Sequence, residues 1–439
     1  MVADLAVTMG GRWVQMLIAL VGSVLSARAL GSTDFGRFGL VMATVMICGT
    51  LADAGLTYTA VKMIAERDKG DNNSAFSTAR AYFVLRLVSG GLVAALGVIL
   101  SGPIAAHILG YPDLIPYLQL AFLTVAALSI SSYPGTVLVG LSSFRRLGIA
   151  GVLNALITLA GIALLYLAGQ LNIGTLVAWN VVLPLVSTLP AWFMVPDGCL
   201  PWRAAGDAVP RFDPGTAREL LGFSKWIAIS TLGTMVALQG DVILLGRLAG
   251  PQVVGVYSVA LALALRLDTL NQSLLTVLLP RASRLKGQIE IKQYTGRVLR
   301  GSLVLAAMLG GVAIAAQPLI HLLYGEEYTA SAGLFLALML VVLFDLVTSS
   351  LFLIAFPLNK PRILAAADWL RVGVLGAVGW ILIPVLGGLG AVCARGAARV
   401  AGTVYSLIAL RRATLSMPGS DAGSEEADLE SAPPIEITL

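Results

Sequence analysis

The chain has 439 residues, of which 57% are hydrophobic and only 12% charged, and its mean hydropathy is +0.87. A soluble domain cannot bury that much apolar surface, so the composition excludes a soluble globular protein and predicts many membrane crossings. The net charge of +5 is mostly carried by short linkers between apolar segments and does not predict a nucleic-acid partner.

The apolar segments predict an all-α polytopic membrane protein. About 20 apolar residues cross the hydrocarbon core as one helix, and hydropathy predicts about twelve such spans. In chain order they lie at residues 11–30, 38–60, 82–103, 115–140, 148–168, 174–195, 224–246, 254–280, 301–323, 330–357, 364–386 and 389–411.

The two halves of the chain repeat one motif at the same internal spacing. The first copy consists of Arg28, Gly31, Gly36 and Phe38, and the second of Arg247, Gly250, Gly255 and Tyr257. Farther along, Pro103 and Gly110 recur as Pro318 and Gly325. Two parallel six-helix repeats are therefore predicted, which is typical of transporters whose halves face each other across a substrate path.

The repeat predicts an N-lobe over residues 1–200 and a C-lobe over residues 224–411, joined by a cytoplasmic linker over residues 201–223. Residues 412–439 are predicted to form an acidic disordered tail, since residues 416–439 contain six acids and no Lys or Arg. Lys and Arg concentrate in the linkers after even-numbered spans, for example Arg145 and Arg146, which places both termini in the cytoplasm.

Motifs for catalysis and for nucleotide binding are absent from the sequence. It has no GxxxxGK[ST], HExxH or GxSxG motif, and Cys48, Cys199 and Cys393 lack metal-binding spacing. No metal or organic cofactor is predicted. The predicted outer loops are short, which disfavours a membrane polysaccharide polymerase or ligase, and the chain is predicted not to be an enzyme.

Several ordered segments resemble the Wzx-type oligosaccharide flippases of the multidrug/oligosaccharidyl-lipid/polysaccharide exporter superfamily. They are residues 28–38, 241–258, 278–281 and the Tyr324-to-Tyr328 turn. The resemblance implies alternating-access flipping of a polyprenyl-pyrophosphate-linked oligosaccharide from the cytoplasmic to the outer leaflet of a bacterial inner membrane. Such transport would serve lipopolysaccharide or exopolysaccharide synthesis, with membrane lipids and polysaccharide polymerase machinery as partners.

Ionisable residues within spans are functional candidates, because an unpaired charge in hydrocarbon is costly. Arginine suits pyrophosphate, since its planar fork binds two oxygens at once. The predicted substrate-binding residues are Arg28, Arg266, Arg395 and Arg399. Most deep charges lie in the second half at positions where the first half is uncharged, which favours the C-lobe as the lobe that binds the charged substrate.

Several of these charges also have structural interpretations. Asp368 and Arg371 are three apart on one helix and are expected to pair, and snorkelling to the interface would explain Arg28. Arg86 is interpreted as an anchor at the cytoplasmic edge. Asp241 and Asp53 are the candidate sites for a coupling ion, Na⁺ or H⁺, although a helix–helix hydrogen bond would also explain Asp241.

The main alternative function is that of a multidrug/cation antiporter of the same superfamily. That function would favour an acidic, aromatic-lined cavity, whereas here the deep arginines match the deep acids in number.

Overall fold

The computed structural model describes residues 2–68, 72–202, 213–282, 288–315, 317–352 and 361–415. The first half of the chain is helical where it is described, with short π and 3-10 turns at Ile104–Leu109, Pro112–Leu114 and Asp197–Cys199. The helices are α1 (Val2–Asp53), α2 (Leu56–Arg67), α3 (Asn72–Pro103), α4 (Ile115–Gly140), α5 (Phe144–Leu167), α6 (Ile173–Ser187) and α7 (Leu189–Trp192).

The second half is likewise helical where it is described, with one 3-10 turn at Glu326–Tyr328. Its helices are α8 (Pro214–Ala249), α9 (Pro251–Ala282), α10 (Gln288–Ala315), α11 (Gln317–Tyr324), α12 (Thr329–Phe352), α13 (Pro361–Leu386) and α14 (Gly388–Leu415). The tail predicted at 412–439 lies outside the described residues from position 416 onward.

The predicted fold class, an all-α polytopic membrane protein, is confirmed. Eight helices in the described residues are long and apolar enough to cross a membrane, and Pro251–Arg266 and Arg300–Ala315 are shorter apolar helices. The first of the eight, Val14–Asp53, covers residues 14–30 of the first predicted span and 38–53 of the second, and it has a kink between them where Gly31 has φ 72° and ψ 173°. The predicted total of twelve spans stays a prediction.

The internal repeat is visible in the backbone. Gly250, the repeat partner of Gly31, has φ 94° and ψ 163° and separates α8 from α9 as Gly31 divides α1. Gly110 and Gly325 also share positive φ, at 84° and 93°. Glycine adopts positive φ without the steric cost that a Cβ imposes, which explains why these positions match in both halves.

A close contact between α1 and α9 relates the two halves. A Cβ atom added to Gly36 would overlap the carbonyl oxygen of Pro251, and one added to Gly255 would overlap the carbonyl oxygen of Ser32. Gly36 is the repeat partner of Gly255, so each half makes the same contact with the other. The contact therefore lies on a pseudo-two-fold axis, as expected for parallel repeats.

The first turns of α8 pack on the N-lobe rather than on the C-lobe. Leu220 is fully buried in a cluster with Ile64, Tyr82 and Cys199, and Arg67 on α2 contacts Glu219 at 2.6 Å. The predicted linker over 201–223 is thus helical from Pro214, with the Asp213 side chain accepting from the backbone N–H of two following residues. Residues 203–212 lie outside the described part.

The reactivity of the Cys199 thiol tests the packing of this N-lobe cluster. Burial raises the pKa of its thiol to about 12, so at neutral pH it stays protonated and unreactive. We expect Cys199 in a variant that retains only this cysteine to resist maleimide in the folded protein and to react fully after denaturation. Rapid labelling in the folded state would contradict the packing of residues 197–200 on the N-lobe.

Candidate functional site

One end of the interface between the lobes is closed by paired contacts. Tyr111 Oη donates to Gly246 O at 2.9 Å, and Tyr328 Oη donates to Ala27 O at 2.9 Å. Ala27 and Gly246 are equivalent in the repeat, so the two tyrosines make equivalent bonds across the interface. We call this end, which includes the Gly36 contact, the closed end.

The predicted residue Arg28 belongs to the closed end. Its Nη2 donates to Leu322 O at 2.6 Å, across the interface between the lobes. Nearby, the backbone N–H of Ser32 donates to Glu327 Oε2 at 2.8 Å. Arg28 is therefore placed to hold the two lobes together, and the structure does not place it in the cavity described next.

A cleft of about 480 Å³ lies between the lobes toward the Asp53 end of α1. It is formed by α1, α2, α3 and α4 from the N-lobe and by α8. Its lining residues are Val45, Met46, Gly49, Thr50, Asp53, Tyr58, Arg86, Val125, Leu128, Thr231, Thr234 and Met235. Asp53 and Arg86 are the charged residues in this lining, so they set the electrostatics of the cleft.

Arg86 is buried at the cleft wall with unused hydrogen-bonding capacity. It is 6% exposed, its Nη1 lies 3.5 Å from Asp53 Oδ1, and its Nη2 donates to Ser132 Oγ at 3.4 Å. In the described part of the chain, its Nε and Nη1 atoms have no hydrogen-bond partner. Both atoms are buried, so an anion in the cleft reaches them when Asp53 moves away, and a guanidinium is suited to bind it.

A chain of hydroxyl groups contacts the Asp53 side of the Asp53–Arg86 pair. The Thr57 hydroxyl donates to Asp53 Oδ1 and lies 2.9 Å from Tyr82 Oη, which is 3.1 Å from Thr136 Oγ1. Tyr82 and Arg86 are four residues apart on α3 and so project from the same helix face. The network therefore holds the Asp53 carboxylate beside the Arg86 guanidinium in the wall of the cleft.

The sequence interpretation of Arg86 as an edge anchor is therefore wrong. An anchoring arginine reaches water with its charged end, whereas this guanidinium is enclosed by the N-lobe and the cleft. A criterion of charge near the middle of a span does not select Arg86, because Arg86 lies near the start of the predicted span 82–103. The four-residue spacing of Tyr82 and Arg86, which puts both on one face of α3, was the available signal.

The predicted residues Asp241 and Arg395 meet inside the C-lobe. Arg395 Nε donates to Asp241 Oδ2 at 2.7 Å and its Nη2 donates to Leu238 O at 2.7 Å. Tyr257 Oη donates to the same carboxylate oxygen, and Val242 N donates to Oδ1 at 2.9 Å. Asp241 is fully buried, and this network satisfies both of its oxygens, so the helix–helix interpretation of Asp241 fits the geometry.

Two further ion pairs occupy the C-lobe. Arg399 Nη1 lies 3.1 Å from Asp345 Oδ2. Arg371 Nη1 lies 3.0 Å from Asp368 Oδ1, which confirms the expected pairing of Asp368 and Arg371 on one helix. Arg395 and Arg399 do line one cavity together, but it measures only about 20 Å³, room for about one water molecule.

Arg266 lies between the lobes without reaching the cleft. Its Nη2 donates to Ala19 O on α1 at 2.9 Å and its Nη1 to Ala262 O at 3.3 Å. Of the six predicted site residues, the structure thus brings Asp53 to the cleft and Asp241 to Arg395. The cleft lining does not include Arg28, Arg266, Arg395 or Arg399.

Two helical repeats that close at one end over a central cleft define a fold shared with solved transporters. An inward-facing multidrug-resistance MATE transporter of the MOP superfamily superposes with a TM-score of 0.67 at 16% identity, over 94% of this chain and 100% of that one. The lipid II flippase MurJ in an inward closed conformation gives 0.65 at 12%, over 94% and 88%. The eukaryotic MATE transporter AtDTX14 gives 0.62 at 14%, over 95% and 96%.

Sequence comparison then identifies the family. The chain belongs to the polysaccharide biosynthesis protein family, whose sequence profile matches residues 1–286. A comparison with curated proteins gives no match. The family match confirms the predicted resemblance to polysaccharide-exporting proteins, and the three solved proteins compared above, two transporters and a flippase, share the fold.

Proposed function

We propose that the protein moves a polyprenyl-pyrophosphate-linked oligosaccharide from the cytoplasmic to the outer leaflet of a bacterial inner membrane. The observation that carries this proposal is the Arg86 guanidinium, which is buried in the wall of a cleft of about 480 Å³ and has two donors without partners among the described residues. Membership of the polysaccharide biosynthesis family supports the class of cargo. The glycan would enter surface polysaccharide, with a polymerase acting after the flippase.

The cleft offers each part of such a substrate a matching surface. The pyrophosphate would bind Arg86, because a planar guanidinium matches two phosphate oxygens. Sugar hydroxyls would meet the side chains of Thr50, Thr231 and Thr234, and the lipid tail would stay in the bilayer. Shielding the charged and hydroxylated part from hydrocarbon removes the main barrier to its crossing.

The conformation supports an alternating-access mechanism. Paired contacts close the Gly36 end, and the cleft lies toward the other end, which the positive-inside rule assigns to the cytoplasm. The structure would then represent the state that accepts substrate from the cytoplasmic leaflet. Rocking of the lobes would break the Tyr111 and Tyr328 bonds and open the outer side.

A strain without this gene should lose the polymer and accumulate lipid-linked repeat units on the cytoplasmic leaflet. Restoring the wild-type gene should correct both defects. Arg86→Gln should not, although it inserts normally, because the neutral amide cannot pair with pyrophosphate; Arg86→Lys should restore export in part. Normal surface glycan in the deletion strain, measured together with leaflet sidedness, would contradict the proposal.

Extrusion of organic cations is the second candidate. It is favoured by the apolar and carboxylate side of the cleft, where Met46, Met235 and Tyr58 lie around Asp53, since aromatic rings and carboxylates bind cations. Under this alternative the deletion strain keeps its surface glycan and becomes sensitive to cationic dyes.

A further inference from the structure

We propose that Arg86 exchanges partners when substrate binds: the pyrophosphate displaces the Asp53 carboxylate from the guanidinium, and Asp53 then takes up one proton from water. This inference rests on the proposed function, because it assumes an anionic substrate in the cleft. It adds a chemical step, since substrate binding and proton uptake occur at the same pair of side chains.

The contact between Arg86 and Asp53 is weaker than the other deep ion pairs. Its 3.5 Å separation is not a hydrogen bond, whereas the pairs of Arg395, Arg371 and Arg399 measure 2.7, 3.0 and 3.1 Å. The Nε and Nη1 atoms of Arg86 are without hydrogen-bond partners among the described residues. These two atoms are also buried, so an anion reaches them by taking the place of Asp53, and it then gains strong charge-assisted bonds at the cost of one loose contact.

The groups around Asp53 make protonation the expected response to losing Arg86. The Asp53 side chain is 22% exposed and lies in a cleft where a bound pyrophosphate would add negative charge. Like charges and burial both disfavour an ionised carboxylate. The remaining bond from the Thr57 hydroxyl is neutral and does not replace the lost guanidinium.

No other basic side chain is placed to compensate Asp53 among the described residues that line the cleft. The titratable side chains near Asp53 are Arg86 and Tyr82 on α3 and Tyr58 on α2. Helix α4 presents the hydroxyls of Ser132 and Thr136, and α8 presents those of Thr231 and Thr234. Asp368 accepts a hydrogen bond from the Thr234 hydroxyl at 3.1 Å and is paired with Arg371 at 3.0 Å, so the two opposite charges largely cancel at Asp53.

The charges balance through the cycle. In the empty cleft the pair is Arg86⁺ and Asp53⁻. In the loaded cleft Arg86⁺ holds the pyrophosphate, and Asp53 is neutral with one proton from water. When the substrate leaves, Asp53 returns that proton to water and pairs with Arg86 again. One proton is bound and released for each substrate.

The test uses the purified full-length protein and a short-chain prenyl pyrophosphoryl glucose, whose pyrophosphate is esterified at both ends and keeps a constant charge across neutral pH. Isothermal titration calorimetry in buffers of different ionisation enthalpy counts the protons taken up on binding. We expect about one proton per ligand in the wild type and an affinity that falls up to about tenfold per pH unit as the pH rises.

Asp53→Asn should bind the same probe at least as tightly, without pH dependence and with no proton uptake. Glu66→Gln is the matched control, because Glu66 is an exposed carboxylate on α2 whose ion-pair partner in the described part of the chain is Lys62, at 3.9 Å; it should behave as the wild type. Tight wild-type binding with no proton uptake would overturn the exchange and leave the proposed function standing. Failure of the wild type to bind the probe at all would overturn the proposed substrate class and the exchange with it.

Discussion

Replacing Arg395 with methionine should lower the free energy of unfolding by about 3–5 kcal/mol, because it leaves the charged Asp241 carboxylate unpaired in the C-lobe interior. The loss should appear as a shift in denaturant titration of the purified protein in detergent. Arg300→Met is the control: Arg300 is exposed, so its removal should change stability little.

The double variant Asp241→Leu/Arg395→Met should recover most of that stability, since a buried ion pair can be replaced by packed apolar side chains at small cost. The N-lobe supports this expectation. The repeat aligns Asp241 with Gly22 and, where Gly390 matches Gly174, it aligns Arg395 with Trp179. The Trp179 ring packs against Gly161. The fold is thus built once with the ion pair and once without it.

The same double variant separates structure from transport. If the pair only stabilises the C-lobe, the double variant should transport at close to the wild-type rate. If the double variant is stable but does not transport, Arg395 or Asp241 takes a direct part in binding the substrate or an ion. A single variant as stable as the wild type would contradict the burial of the pair.

Gly36→Val and Gly255→Val should each prevent the closed end from forming. The added side chain would overlap a backbone carbonyl oxygen of the other lobe, and backbone cannot move aside as a flexible side chain can. Overpacking of this kind costs about 1–3 kcal/mol, which shifts the equilibrium between conformations about 5- to 150-fold. Transport should fall, because one of the two alternating states becomes rare.

Labelling of a cysteine placed at Ser32 measures this shift. Ser32 is 5% exposed in the closed end, so the cysteine should react slowly in an otherwise unchanged protein and faster when Gly36→Val is added. Gly91→Val and Gly311→Val are the controls, because a Cβ at either position meets no atom within 4 Å. Equal labelling in all variants would show that the Gly36 contact does not close the interface.

The sequence predicted the helical class and the repeat because both depend on local, regular signals. Apolar segments of membrane-spanning length are visible in any window, and a glycine with positive φ is hard to replace at a turn such as Gly31 or Gly250. The matching motifs therefore pointed to equivalent backbone geometry, which the structure confirms.

The site was less predictable, because function depends on which charges find partners. Charge that breaks the repeat symmetry suggested the C-lobe as the binding lobe, yet Arg395 and Arg399 each lie beside an aspartate from another helix. Such long-range pairs have no spacing signal in one sequence. Arg86 and Asp53 come from α3 and α1, and only the packed structure shows that they share a cleft.

Transport by the purified protein in liposomes tests the central claim most directly. The measurement follows prenyl pyrophosphoryl glucose from one leaflet to the other, with wild type, Arg86→Gln and protein-free vesicles compared. We expect movement with the wild-type protein, at least a tenfold lower rate with Arg86→Gln, consistent with the loss of a charge-assisted contact of about 1.5–3 kcal/mol, and almost none without protein. Wild-type vesicles that move the lipid no faster than protein-free vesicles, or an Arg86→Gln rate equal to the wild-type rate, would contradict the account.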